Sequence, residues 1–211
     1  MAQLNLNEGL EQLASRARTA STVVAVTVAG YLGMAVISVL EYLKLIDYEA
    51  AALTPLTMVA VAVGLIQVGA FLASIVLVAM WIHRAHENLA EAGYHKQFTP
   101  GWAVGWFFVP IANLFQPFRA MRELWNLSHQ QADSPHDVAA SELSVWWGAW
   151  IVGSVLSNFG SREISGDNNF ELLVGAAGGG SLAGAAWLLR GLLQRATPAP
   201  RPKGGMTDTF A

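Results

Sequence analysis

Two histidines three residues apart, His83 and His86, are the residues of this sequence best suited to metal chemistry. On a helix, side chains at this spacing lie on one face, so the pair could hold a metal ion or a haem. No further cluster of histidines and carboxylates lies close in the sequence. A histidine at the end of an apolar segment is also typically half exposed to water. We therefore predict no cofactor, and a metal or haem site at His83 and His86 stays an alternative.

Basic residues on both sides of a proline-broken segment could bind an anionic group. Arg84 precedes the segment, and Arg119 and Arg122 follow it. Arginines just outside a membrane span attract lipid phosphates, at about 1 kcal/mol each, and these three could converge on one phosphate. With nearby polar and aromatic residues they form the predicted lipid- or partner-binding set: Arg84, Asn88, Trp102, Trp106, Asn113, Arg119, Arg122 and Glu123.

Two pairs in this set have a simpler interpretation. Trp102 and Trp106 are four residues apart, which is typical of aromatic anchors at a membrane interface. Arg119 and Glu123 have the spacing of an ion pair on a solvated helix surface, worth a few tenths of a kcal/mol. Neither spacing requires a substrate.

Two glutamines, Gln67 and Gln116, are the candidate polar residues of a pore or bundle interior. Gln67 lies in the middle of an uncharged segment, and its amide needs a partner, so it should face other helices. No charged residue or histidine lies near the middle of any long apolar segment, which argues against an ion-coupled transporter. The sequence also lacks hydrolase, zinc-protease and nucleotide-loop motifs. The absence of these sequence motifs therefore argues against an enzyme.

The composition indicates an integral membrane protein. Of 211 residues, 54% are hydrophobic and 13% are charged, whereas soluble domains average about 25% charged residues. A net charge of -3 excludes a basic nucleic-acid-binding protein, so we expect no nucleic-acid partner. The lack of cysteine excludes disulfide scaffolds, cysteine-ligated metal centres and thiol nucleophiles.

Four apolar segments are predicted to cross the membrane as helices. A span needs about 20 mostly apolar residues, and the segments are too long and too continuous for strands. They cover residues 21–40, 55–82, 143–160 and 170–189. The fourth contains two G-x-x-x-G spacings, which favour close packing within the chain over dimerisation. The predicted fold is thus an all-α membrane bundle of four transmembrane helices.

A fifth apolar segment, residues 101–118, is broken by Pro110 and closed by Pro117. With four spans and a cytoplasmic N-terminus, ten of the twelve Lys and Arg residues lie on the cytoplasmic side. A fifth span would remove this bias, so the positive-inside rule favours four spans with both termini cytoplasmic. Segment 101–118 then becomes a re-entrant or interfacial element within a cytoplasmic linker, residues 83–141.

The two ends of the chain differ from the four-span domain, residues 21–195. Residues 1–20 are predicted to form a cytoplasmic amphipathic segment, in which Asn7 would cap the start of a short helix. Residues 196–211 are rich in Pro, Gly and Thr and are predicted to be a disordered cytoplasmic tail.

The run FTPGWAVGWFFVPIANLFQPFRAMRELWNLS, residues 98–128, preceded by WIHRAHENLAEAG, resembles a bacterial membrane domain known as domain-of-unknown-function family 4328. Thr99 stands where that family often has serine. The resemblance implies paired membrane helices on both sides of the run and a bacterial cytoplasmic membrane location, and it implies no activity. The matching positions are Thr99, Pro100, Gly101, Trp102, Gly105, Trp106, Pro110, Asn113, Pro117, Met121, Glu123 and Trp125.

Three functions remain open from the sequence. The favoured one is a non-enzymatic scaffold, accessory subunit or regulator that acts through its cytoplasmic face, with the bilayer, anionic lipids or other membrane subunits as partners. The second is a channel or carrier for a small solute or a lipid, with the broken segment as its gate and Gln67, Asn113 and Gln116 along its path. The third is a redox subunit that uses His83 and His86.

Overall fold

The computed structural model describes residues 2–48, 52, 54–129, 137–160 and 168–197, and in that part of the chain it is all helical, without a strand. The predicted all-α class is confirmed. The predicted disordered tail lies almost entirely outside the described residues. The helices are α1 (Ala2–Tyr42), α2 (Pro55–Glu91), α3 (Pro100–Gly105), α4 (Gln116–His129), α5 (Asp137–Gly160) and α6 (Asn168–Arg195), with 3₁₀ turns at Trp106–Phe108 and Ala112–Leu114.

Three of these helices are long and apolar enough to cross a membrane, namely α1, α2 and α6. The protein is therefore a membrane protein by the length and composition of its helices. The fourth long helix, α5, has 24 residues and packs along α6.

Local sequence determines both ends of α2. The hydroxyl of Thr54 accepts a hydrogen bond from the backbone N–H of Thr57 at 3.2 Å, and Pro55 occupies the first turn. Helix α2 continues past the predicted span to Glu91, and Gly93 follows at a φ of 82°. The first nine residues of the predicted linker, 83–91, therefore belong to α2.

The start of the chain differs from the prediction. Helix α1 begins at Ala2 and runs without a break to Tyr42, so the helix start at Asn7 was wrong. Leu13 and Ala17, on one face of this helix, are buried in the main core together with residues from the end of α2.

The four long helices form an open arrangement rather than a closed bundle. They pack in the order α2, α1, α6, α5. Among the described residues, α2 and α5 are not packed along each other. Helices α3 and α4 contact α2, α4 also contacts α5, and this short segment occupies the space between α2 and α5.

The main core lies at one end of the molecule, where the start of α1 and the ends of α2 and α6 meet. There the fully buried Trp81 donates from Nε1 to Oγ1 of Thr197 at 3.0 Å. Arg190 and Gln194 both donate to the hydroxyl of Ser21. We call this the basic end of the molecule, because most of the arginines lie in the helix segments that meet there.

Candidate functional site

The broken segment forms a hook, which we define as residues 99–115. Thr99 caps α3 by accepting from the backbone N–H of Trp102, and Pro100 opens the helix. The helix ends before Pro110, as expected for a residue that cannot donate a backbone hydrogen bond. Ile111 follows with a φ of 67°, a left-handed conformation that is strained for a β-branched residue. The hook therefore turns sharply between its two 3₁₀ turns.

Aromatic contacts attach the hook to α5. The indole Nε1 of Trp147 donates to the carbonyl of Leu114 at 2.9 Å. Phe107 meets the Trp147 ring edge-on, with centroids 6.5 Å apart. On the other side, Trp147 stacks on Trp150 at 4.7 Å. Such pairs add to the free energy gained from burial, so the hook has a defined position against α5.

A cavity of about 220 Å³ lies between the hook and the long helices. Its wall is mostly apolar, and α1, α2, α5 and α6 all contribute to it. The lining residues are Val24, Thr27, Tyr31, Phe71, Ser74, Ile75, Val78, Ala79, Ile82, Val104, Phe107, Phe108, Asn113, Met121, Trp146, Trp147, Trp150, Leu182, Ala185, Ala186 and Leu189.

Few polar side chains line the cavity. The hydroxyls of Thr27 and Ser74 donate to carbonyls of their own helices, at 3.1 and 2.7 Å. The Oδ1 of Asn113 is buried and has no hydrogen-bond partner. Tyr31, Trp146 and Trp150, which carry a hydroxyl and two indole N–H groups, also line the cavity, so its wall is mostly but not wholly apolar.

The cavity reaches the outer surface beside α2. Phe71 and Ile75 line it and are also exposed on the outside of that helix, and Phe108 of the hook is 67% exposed. The edge of the cavity at this side of α2 is therefore apolar.

The other two predicted pore residues, Gln67 and Gln116, do not line the cavity. Gln67 is buried where α1 has Gly30, whose missing side chain leaves room for the amide, and neither atom of that amide has a hydrogen-bond partner among the described residues. Gln116 begins α4, and Trp102 is 54% exposed with its ring 4.7 Å from that of Trp106.

Arg84 and Asn88 belong to a polar cluster at the basic end. Arg84 pairs with Glu87 at 3.1 Å and with Glu91 at 3.5 Å, and its side chain is only 14% exposed. Asn88 is buried and donates from Nδ2 to the carbonyl of Gly9 at 3.0 Å. This engagement makes Arg84 a structural residue, and Arg119 and Arg122 stay as the candidates for lipid phosphate.

The two histidines have different environments. His83 is partly exposed and its Nδ1 lies 3.6 Å from Glu87. His86 is fully buried, so the expectation of a half-exposed residue was wrong for it. Its Nδ1 donates to the carbonyl of Ile82 at 3.0 Å, and its Nε2 has no partner. Burial lowers the pKa of His86, and the nearby charge of Lys96 lowers it further.

A metal site would need more ligands than this pair supplies. Within the described ranges, no group of three or more His, Asp or Glu side chains is placed to hold a metal ion. The arrangement at His86 instead holds a loop in place, because Lys96 donates from Nζ to the His86 carbonyl at 2.9 Å.

Helix α4 presents its arginines outward. Arg119 and Arg122 are exposed, and the guanidinium of Arg122 lies 5.8 Å from the ring centroid of Phe118. Glu123 accepts from the backbone N–H of Gln97 at 2.7 Å. An Arg119–Glu123 pair is not among the ion pairs that the described residues form.

Sequence reasoning missed the aromatic wall of the cavity. Trp146 and Trp150 are four residues apart and therefore share a face of α5, a signal that was present in the sequence. The same residues also fit an apolar span, which is why the spacing alone does not predict a cavity wall. Tyr31 carried no such signal, because its place in the wall depends on how α1 packs.

Of three comparisons with known proteins, one finds a match. No curated protein and no solved structure matches the chain. The domain of unknown function DUF4328 matches residues 44–177, which include α2, the hook, α4, α5 and the first part of α6. The match covers well over half of the sequence, and the chain belongs to the DUF4328 family.

Proposed function

We propose that the chain is a four-span membrane protein that takes up an apolar molecule from the bilayer into its cavity. The observation that carries this proposal is the apolar cavity between α2 and the hook, with Phe71 and Ile75 exposed at its edge. It corresponds to the second function open from the sequence, a channel or carrier. Apolar walls favour a lipid-like molecule over a polar solute.

The four-span topology rests on α5 and on the distribution of charge. With 24 residues, α5 is about 36 Å long, enough to cross the hydrocarbon core. Arg16 donates to the carbonyl of Met80, and Arg195 pairs with Glu142, so basic residues from α1 and α6 lie at one end. The positive-inside rule favours a cytoplasmic position for this end.

This topology gives the hook a cytoplasmic-side position and both chain ends a cytoplasmic location. The membrane would be the bacterial cytoplasmic membrane, as the family resemblance implies. The hook then closes the cytoplasmic half of the gap between α2 and α5, where irregular backbone is tolerated because protein surrounds it.

A second candidate function uses the surface rather than the cavity. The exposed Arg119 and Arg122 on α4 favour a scaffold, accessory subunit or regulator that binds anionic lipid or another subunit from the cytoplasmic side. The third function, a redox subunit through His83 and His86, has no observation among the described residues in its favour.

Photolabelling of the full chain in nanodiscs tests uptake into the cavity. The probe is a nine-carbon alkane that carries a diazirine, and the adducts are mapped by mass spectrometry. We expect them to concentrate on cavity residues such as Val78 and Phe107. Ala79→Leu adds three carbons to the cavity wall and should lower this labelling several-fold, whereas Ala73→Leu, on the exposed side of the same helix, should not.

An even distribution of the label would contradict uptake into the cavity. If adducts spread evenly over the lipid-facing surface and Ala79→Leu leaves the pattern unchanged, the cavity does not take up apolar molecules. The surface function through α4 would then be the better proposal.

A further inference from the structure

We infer that the molecule held in the cavity carries a carbonyl oxygen, which accepts hydrogen bonds from donors in the cavity wall. This inference rests on the proposed function and adds the chemical class of the ligand. It is carried by three donors on residues that line the cavity, namely the indole N–H groups of Trp146 and Trp150 and the hydroxyl of Tyr31.

None of these three donors has a hydrogen-bond partner in the part of the chain that the structure describes. Other indoles of the protein are paired: Trp81 and Trp147 donate at 3.0 and 2.9 Å. The three donors also keep accessible surface, unlike the sealed amide oxygen of Asn113. An accessible donor in a mostly apolar wall is available to an acceptor on a bound molecule.

Trp146 supplies the strongest of these observations. The residue lines the cavity and is only 4% exposed, so its indole N–H is reached from the cavity rather than from outside the molecule. An indole N–H can donate but cannot accept. Leaving such a donor unpaired in apolar surroundings costs free energy, and an acceptor on the ligand removes that cost.

The acceptor should be uncharged. No charged side chain lines the cavity as described, and a carboxylate buried there would lack a counter-charge. A carbonyl oxygen is neutral, and its two lone pairs can accept from two donors at once. The hydroxyls of Thr27 and Ser74 already donate within their own helices, so they need no further acceptor.

Aromatic packing holds the donors in position. Trp146 and Trp150 are four residues apart and share a face of α5. Between them, Trp147 lies 5.2 Å from the Trp146 ring, stacks on Trp150 at 4.7 Å, and is fixed by its bond to the Leu114 carbonyl of the hook. Tyr31 approaches from α1, on the other side of α6. Such pre-organisation lowers the cost of ordering the site when a ligand binds.

The size of the cavity limits the part of the ligand that it holds. An apolar cavity of about 150 Å³ binds benzene, which has six carbon atoms. By the same ratio, the volume of about 220 Å³ holds about nine non-hydrogen atoms. A carbonyl group with a short stretch of hydrocarbon fits this volume, whether it belongs to the acyl ester of a lipid or to a ring ketone.

Competition against the diazirine alkane in nanodiscs tests the inference. The competitors are 2-octanone and 2-methyloctane, in which a methyl group replaces the carbonyl oxygen, each expressed as a mole fraction of the bilayer. The two molecules have the same number of non-hydrogen atoms and nearly the same shape. We expect 2-octanone to displace the probe about tenfold better than 2-methyloctane.

Replacing the donors one at a time locates the carbonyl. Trp146→Phe, Trp150→Phe and Tyr31→Phe each remove a donor and keep an aromatic ring. Trp146→Phe should abolish the preference for the ketone, and at least one of the other two should weaken it. The control is Trp187→Phe, which removes an exposed indole of α6 outside the cavity and should retain the preference.

Two further competitors separate the sources of the carbonyl. Methyl heptanoate carries an acyl ester and 4-isopropylcyclohexanone carries a ring ketone, and the two have equal numbers of non-hydrogen atoms. Stronger displacement by methyl heptanoate supports the acyl ester of a lipid, whereas stronger displacement by 4-isopropylcyclohexanone supports a ring ketone.

The outcomes separate the inference from the function beneath it. Equal displacement by 2-octanone and 2-methyloctane in the unmodified protein overturns the carbonyl and leaves the uptake of apolar molecules intact. No displacement by either overturns both. A preference that persists in all three donor variants would place the carbonyl elsewhere and also overturn the inference. The comparison in the unmodified protein decides even if a variant does not fold.

Discussion

Asn88 donates from Nδ2 to the carbonyl oxygen of Gly9 across 3.0 Å, and this bond joins the start of α1 to the end of α2. Both residues are buried. A carbonyl oxygen has two lone pairs, so Gly9 can accept from Asn88 as well as from its own helix. Gly9, Leu13, Ala17 and Ala20 of α1 are buried at this end of the molecule.

Gly9→Ala should destabilise the protein. The added Cβ would overlap Nη2 of Arg84 and Oδ1 of Asn88, so both side chains must move and the bond from Asn88 to Gly9 is strained. We expect a loss of about 1–3 kcal/mol in the free energy of unfolding. The matched control is Gly64→Ala on α2, where a Cβ meets nothing within 4 Å and the gain is up to about 1 kcal/mol. Thermal unfolding of the two variants measures the difference, and equal stability would contradict it.

The sequence predicts those features that depend on neighbouring residues. The cap at Thr99, the end of α2 near Gly93 and the break at Pro110 all follow from local rules of capping and proline chemistry. Asn7 satisfies the same capping rule, yet the helix runs through it, and the next turn is joined to α2 by the bond from Asn88 to the Gly9 carbonyl. The capping preference of Asn7 therefore does not determine where α1 begins.

The cavity could not be predicted, since it depends on residues far apart in the chain. Asn113 was a candidate pore residue by type, but its unpaired oxygen and its apolar neighbours follow from the position of the hook between α2 and α5. Similarly, Arg84 was a candidate phosphate ligand, and only the structure shows its pairing with Glu87 and Glu91.

Gly178→Ala should separate α5 from α6. A Cβ on Gly178 would lie 2.6 Å from the backbone nitrogen of Ser157, and backbone cannot move aside as a side chain can. We expect a loss of about 1–3 kcal/mol, typical of overpacking. Gly180→Ala is the control, because nothing lies within 4 Å of its Cβ position. Comparable thermal unfolding temperatures for the two variants would contradict close packing at Gly178 within the chain.

His86 should make stability depend on pH. Burial lowers its pKa in the folded protein from the ordinary value of 6.5, so the unfolded chain binds the proton more readily. The stability that the neutral ring contributes is present above about pH 6.5 and is lost as the pH falls below it. The unfolding temperature should fall between pH 7.5 and 5.5, and His86→Leu should flatten this dependence. His95→Gln, in an exposed loop, should leave it unchanged; a slope that persists in His86→Leu assigns it to another group.

Single cysteines can determine the topology, because the sequence has none of its own. Ser15→Cys on α1 and Asn126→Cys on α4 are exposed, as is Leu43→Cys after the opposite end of α1. With four spans, a membrane-impermeant maleimide should reach the first two from the cytoplasmic side and the third from the other. If Asn126→Cys reacts from the side opposite to Ser15→Cys, the hook crosses the membrane and the four-span topology is wrong.

Arg119 and Arg122 should account for the binding of anionic lipid at the basic end. Both side chains are exposed, so Arg119→Gln and Arg122→Gln should each weaken the retention of phosphatidylglycerol about fivefold without changing stability. Native mass spectrometry of the bound lipid measures the change. Two control variants separate specific binding from general effects. Lys44→Gln removes an exposed charge after the opposite end of α1 and should not change the retention of phosphatidylglycerol. Arg84→Gln should instead lower the unfolding temperature, because it breaks the ion pairs with Glu87 and Glu91. Equal lipid loss from Lys44→Gln and Arg119→Gln would mean that net charge alone attracts the lipid, and α4 would then have no specific role.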